Sequence, residues 1–327
     1  MRSFLLITAS LTLWMPVQLL AADGNGLKAE FFEGINLDKL VATRQEPSIN
    51  FDWAHAAPIT ELPVDGFSLR MTGWLKVPRA GRYQFVLRGN DGVRLWLDDK
   101  QVINHWNSGD AHKEISLELT AEPHAIRLEY FELNDYAWVT LFWTYPGAKT
   151  YMPVPPEAFF LDEKNAKAKP STSKRIPDEN GLNMEVFSDT NVTRKVGAGG
   201  FGRLESVWGH GAPLPDLNPD SFSIRLTGFL QAPATGRYKL IFFSDNGLRL
   251  SIDGKVVFNR WDDGLRREEA FVELEEGKLY SIQLEQMEFG GWAHFYVHWV
   301  LPDTDKEISI APEYLFRTKN AVKKGKT

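Results

Sequence analysis

Cysteine is absent from this chain of 327 residues. Disulfides, thiol catalysis and lipidation of an N-terminal cysteine are therefore excluded, and stability must come from buried apolar surface. A basic surplus is also missing. Lys and Arg number 37 against 43 Asp and Glu, for a net charge of −6. No electropositive field exists to draw in nucleic acid, so no nucleic-acid partner is expected. Only one long apolar run occurs, Phe4–Leu20, and Pro16 interrupts it. No stretch repeats apolar residues at the 3.6-residue period of a helix. Catalytic signatures are lacking too: there is no nucleophile elbow, no HExxH and no phosphate-binding loop. An enzyme is not expected.

The single apolar run follows Arg2 and ends at the small residues Ala21-Ala22. This layout predicts a secretory signal peptide over residues 1–22, and hence an exported protein: periplasmic, cell-surface or secreted. No transmembrane segment is expected once the signal is removed.

The rest of the chain is written twice. Asp65–Trp106 aligns with Asp220–Trp261 at an offset of 155 with no gap. Gly26-Leu27 pairs with Gly181-Leu182, Trp53 and His55 with Trp208 and His210, and Pro58 with Pro213. The register reads as continuous to about Phe131, with one residue inserted near Leu133. Beyond it, Trp143 matches Trp299 and Pro156-Glu157 matches Pro312-Glu313. Apolar residues alternate with period two, as in Val93, Leu95 and Leu97, and again in Ala137, Val139, Leu141 and Trp143. Many short alternating segments with turn residues between them predict an all-β chain of two consecutive antiparallel β-sandwich domains. The expected boundaries are 24–162 for the first domain and 179–318 for the second. A charged, Pro- and Ser-containing linker is expected over 163–178 and a basic tail over 319–327.

Both copies carry the ordered series GLKAEFF, FDW, DGFSLRMTGWL, AGRYQFVLRGNDGVRLWLDD, QVINHW, IRLEYFE, VTLFW and VPPEAFF, or its counterpart. On these residues each half resembles the protective-antigen-type ("PA-fourteen") β-sandwich domain found in toxins, adhesins and glycosidases. The resemblance implies a non-catalytic module that often binds carbohydrate. In lectin members an Asp-Asp pair joined by a cis peptide holds Ca²⁺, which bridges to sugar hydroxyls. That pair falls here on Asn90-Asp91 and Asp245-Asn246, so each copy keeps one carboxylate only.

Ca²⁺ takes six to eight oxygens, and Asn can supply one. The loop after strand residues 129–130 would add more. Asn90, Asp91, Asn134 and Asp135 are therefore the candidate Ca²⁺ ligands in the first copy. The second copy offers the poorer loop Met287–Gly291. As plain β-turns, Asn-Asp-Gly and Asp-Asn-Gly need no ligand, with Gly supplying a positive φ. Aromatic rings supply the other sugar-binding signal. Trp106, Tyr136, Trp261 and Trp292 are candidate stacking surfaces beside Asn90, Asp91, Asn134, Asp135, Asp245 and Asn246. The competing reading packs Tyr136, Trp138, Thr140, Phe142, Trp292, His294, Tyr296 and His298 under loops or between the two copies. His294 and His298 are too far apart along one strand to share a metal ion. The leading expectation is glycan or polysaccharide binding. The alternative is a structural or assembly module that docks another envelope or secreted protein through exposed aromatics.

Overall fold

The computed structural model describes residues 26–144, 146, 151–167, 180–214 and 216–319. The expected signal peptide, most of the expected linker and the tail from 320 onward lie outside these residues. Among the described residues, no helix is long and apolar enough to cross a membrane.

The first repeat contains strands β1 (Leu27–Glu33), β2 (Lys39–Glu46), β3 (Asn50–Ala54), β4 (Phe67–Leu75), β5 (Gly81–Asn90), β6 (Gly92–Leu97), β7 (Lys100–His105), β8 (Ala111–Leu119), β9 (His124–Glu132), β10 (Ala137–Thr144), β11 (Met152–Pro153) and β12 (Phe159–Phe160). The second contains β13 (Leu182–Phe187), β14 (Lys195–Phe201), β15 (Glu205–Gly209), β16 (Phe222–Gln231), β17 (Gly236–Asp245), β18 (Leu248–Ile252), β19 (Lys255–Arg260), β20 (Arg266–Leu274), β21 (Leu279–Glu288), β22 (Ala293–Val300), β23 (Glu307–Ser309) and β24 (Leu315–Phe316). A short helix, α1 (Glu163–Lys167), follows β12. Ala166 of α1 is buried and its carbonyl accepts a hydrogen bond from Lys76 Nζ at 2.6 Å. The start of the expected linker is therefore packed onto the first domain.

Each repeat is a sandwich. Its outer sheet runs β2-β1-β4-β9-β6-β7 in the first copy and β14-β13-β16-β21-β18-β19 in the second. Its inner sheet runs β11-β10-β5-β8 and β15-β22-β17-β20, with β3 and β23 added beside β10 and β22. Side-chain alternation places Val93, Leu95 and Leu97 of β6 opposite Val139, Leu141 and Trp143 of β10, all in one core. The repeat register shifts earlier than expected. Arg70 pairs with Glu129, whereas Arg225 pairs with Glu285, so the extra residue of the second copy lies before β21, in the β20–β21 turn.

The inner sheets of the two repeats face each other. Val86, Phe142 and Val207 cluster with Trp138, Tyr151 and Trp292, while Ala54, Ile241, Tyr296 and Val300 cluster with Tyr136 and Phe243. Polar groups interleave with these rings. Asn50 donates to Ser206 Oγ at 2.8 Å and accepts from Val207 N at 3.0 Å. Arg203 is 3% exposed and meets Glu46 at 2.6 Å and Ser309 at 2.9 Å. His298 lies between Glu307 and the Asp52 carbonyl, at 3.0 Å from each. The outer faces of β10 and β22 thus build a domain–domain contact. The aromatics that were candidates for docking a partner protein are spent within the chain.

Candidate functional site

Three loops meet at one end of each sandwich: the turn leaving β5 or β17, the loop after β7 or β19, and the loop after β9 or β21. The Asn90–Asp91 and Asp245–Asn246 peptides are both cis. The following glycines, Gly92 and Gly247, do not have positive φ. What they supply is clearance: a Cβ on Gly92 would lie 2.0 Å from the Phe131 ring, and one on Gly247 2.8 Å from Met287 Cε. The plain β-turn reading is corrected on this point.

The second residue of each turn acts as a clip. Asp91 is 3% exposed. Its Oδ1 accepts from Gly109 N at 2.5 Å and its Oδ2 from Leu133 N at 2.8 Å, so it ties two loops together. Asn246 does the same work with an amide. Its Oδ1 accepts from Phe289 N at 2.7 Å, and its Nδ2 faces the Asp263 carbonyl at 3.4 Å. The acid and the amide follow the polarity of the partner: an N–H in one loop, a C=O in the other.

Behind each clip sits a buried acid that the sequence did not flag. Glu132 and Glu288 are fully buried, and each leaves one carboxylate oxygen without a partner. Burial pushes both up to about 8; Asp91 adds to the effect on Glu132 and Asp245 to that on Glu288. Tyr130 opposes it in the first copy, with its hydroxyl 2.9 Å from Glu132 Oε2 and 2.5 Å from the Asn90 carbonyl. Gly290 N donates to Glu288 at 2.8 Å. The alternation of β9 and β21 was the available signal, since Glu132 shares the core-facing parity of Leu128 and Tyr130.

The proposed Ca²⁺ ligands are engaged in different ways. Asp91 already accepts two main-chain amides. Asn134 and Asp135 are exposed, and the Asp135 carboxylate turns toward His55 at 3.9 Å. Among the described residues, no group of three or more His, Asp or Glu is arranged to hold a metal. Both oxygens of Asp91 are engaged by amides, so in this arrangement its carboxylate is not turned toward a cation. Asp245 is half-buried; burial raises its carboxyl, His294 opposes that, and Asn246 Nδ2 donates to its Oδ1 at 3.0 Å.

The aromatic candidates separate into two groups. Tyr136 and Trp292 belong to the domain–domain contact, which corrects their assignment as ligand-stacking rings. Tyr136 packs edge-on against His55 at 5.5 Å, and Trp292 lies under Arg88 at 4.4 Å and against Trp138 at 5.7 Å. His55 and His210 brace the loops through the carbonyls of Asp135 and Gly291. Trp106 and Trp261 are half-buried and lie beneath Arg94 at 3.7 Å and Arg249 at 4.1 Å.

Beside the second clip is a shallow, open depression at the corner between β19 and β20. Ser244, Asn246, Arg260, Asp262, Arg266 and Glu268 line it, with Phe258 as an apolar floor. Ser244 Oγ is buried without a partner, and Arg260 Nε donates to Glu268 at 2.8 Å. In the first repeat His105, Ala111 and Lys113 occupy the places of Arg260, Arg266 and Glu268, so the two ends differ chemically.

The PA14 domain model matches the chain twice, over residues 23–156 and 178–312. A curated relative, anti-sigma-I factor RsgI3 of Acetivibrio thermocellus, is 25% identical over 293 residues. The alignment covers 87% of this chain but 44% of that protein, so the chain spans less than half of the relative's length. Among solved structures, an anti-sigma factor domain-containing protein from Clostridium clariflavum is 27% identical, with 90% of this chain and 99% of that one covered and a TM-score of 0.42. A PA14 sugar-binding domain from an RTX adhesin is 16% identical, covering 42% of this chain and 99% of that one at a TM-score of 0.36. With both halves matched, the chain belongs to the PA14 domain family and carries that domain as a tandem pair.

Proposed function

We propose that this chain is an exported, non-catalytic recognition protein that binds a glycan at the loop end of its second PA14 domain. The observation that carries the reading is the depression beside Asn246. Two guanidiniums, two carboxylates, an amide and an unpartnered hydroxyl surround a phenyl floor there. Sugars present hydroxyls that both donate and accept, together with an apolar C–H face, and this mixture of groups complements both. Calcium is not required in this reading, because the clips are closed by main-chain hydrogen bonds. The fixed contact between the two domains holds the second loop end in a constant orientation relative to the first.

A glycan array probed with the intact chain, with and without chelator, tests the proposal. Binding is expected with either buffer. Arg266→Ala, at an exposed position, should weaken it roughly tenfold with the melting temperature unchanged, as expected for loss of a charge-assisted hydrogen bond. A chain that binds no glycan, or an Arg266→Ala variant that binds as well as the parent, overturns it.

A further inference from the structure

The outer sheet of the first repeat presents a surface independent of the loop end. Strand register places Arg70, Glu129 and Arg94 in one row across β4, β9 and β6, and the cross-strand pair Trp96–Arg127 in the next row on the same face. Glu129 is shared: Arg70 Nε lies 2.9 Å from one oxygen and Arg94 Nη2 2.6 Å from the other. The Arg94 guanidinium lies 3.7 Å from the Trp106 ring centre and 5.6 Å from that of Trp96. Arg127 continues the stack, 4.0 Å from the Trp96 ring centre. The result is a row of alternating planar groups, Trp106, Arg94, Trp96 and Arg127, all half-exposed.

Arg127 has no carboxylate partner among the described residues, and its Nε has no acceptor. Glu129 is divided between Arg70 and Arg94, and Glu30, beside Arg70 in the same row, is paired with Lys28, so Arg127 is left as an uncompensated cation on this face of a chain whose net charge is −6. The second repeat shows which part the fold itself needs. It keeps Arg225, Glu285, Arg249 and Trp261, but the cross-strand pair equivalent to Trp96–Arg127 is Ser251–Gln283. The sandwich forms without the indole and the extra charge, so they are surplus to its architecture.

We propose that this face of the first domain binds an acidic polysaccharide. The carboxylate of a uronic acid would engage the unpaired Arg127 guanidinium, whose planar fork matches a carboxylate. The C–H face of the pyranose would lie on the exposed parts of Trp96 and Trp106. Charge complementarity sets the choice of an acidic sugar over a neutral one, and the paired planar rings set the choice of a sugar over a simple anion. This surface is separate from the loop end of the second domain, and a polymer chain could engage both.

The test compares glucuronate oligosaccharides with glucose oligosaccharides of the same linkage, titrated into the full chain by calorimetry. The uronates are expected to bind at least about tenfold more tightly, with an advantage that shrinks as salt rises. The double variant Trp96→Ser/Arg127→Gln imports the pair that the second repeat already accommodates. It should melt with the parent and lose that preference, whereas Arg266→Ala should keep it. Equal affinity for the two oligosaccharide series, a double variant that still prefers uronates, or a preference abolished by Arg266→Ala alone overturns the assignment.

Discussion

Arg203→Met offers the sharpest test of how the two domains are joined. The guanidinium is 3% exposed and spends its donors on Glu46 at 2.6 and 3.2 Å, Ser309 at 2.9 Å and Glu205 at 3.3 Å. It also lies 4.8 Å from the Phe51 ring centre. Methionine restores most of the volume but none of the charge. Glu46 retains Arg44, while Glu205 retains Ser309 and His298. The loss should therefore fall at the lower end of the range for breaking a buried pair, about 3 kcal/mol. At 2–4 °C per kcal/mol, the melting midpoint should drop by roughly 6–12 °C. Because Glu46 and Arg203 come from different repeats, calorimetry should also show the single transition broadening as the domains uncouple. The acid and alkaline limits follow from the same cluster. Burial alone would lower His298, but Glu205 and Glu307 outweigh it and push it up to about 9. Its contribution is complete below about pH 6.5 and disappears as pH rises through 9. Burial alone would raise Glu205 and Glu307. Arg203 and His298 for the one, and His298 and Arg267 for the other, hold them below the usual carboxylate range, so their contribution is lost only in acid. An Arg203→Met protein that melts as one unit at the parental temperature would refute this account of the interface.

Glu132→Gln/Glu288→Gln should flatten the decline of stability with pH. Both carboxyls titrate at about 8 when folded and near 4.5 when free, so the parent loses stability as pH rises from 4.5 through 8; denaturant melts at pH 5 and pH 8 measure the difference. Asp91→Asn and Asn246→Asp should each cost about 1–3 kcal/mol, because each turns a donor or acceptor toward a main-chain group of the same kind. Chemical denaturation reads this directly, and two neutral substitutions would dismiss the clip. Trp292→Ala should cost about 3 kcal/mol of stability, the lower end for a large aromatic because the ring is half-buried, and leave glycan affinity intact, since the ring packs between domains. Added calcium should leave the melting midpoint of the intact chain where it stands in chelator; a rise that depends on concentration would restore the metal site.

The repeat, the β-sandwich class and the core face of β6 and β10 were legible in the residues alone. These are local properties: period-two alternation assigns Val93, Leu95 and Leu97 to a face without knowledge of what covers it, and a duplication broken by a single inserted residue shows that the same solution was used twice. The sequence also located the loop end, since Asn90-Asp91 and Asp245-Asn246 stand out as turns. Tertiary structure decided what those residues touch. The acid-to-amide change between Asp91 and Asn246 depends on whether the opposing loop offers an N–H or a C=O, a partner 17 or 18 residues away in sequence. Tyr136 and Trp292 read as open rings along a strand, and only the docking of one inner sheet on the other buries them. Alternation reports that a side chain leaves its own core. It cannot report whether the surface beyond is water, ligand or a second domain.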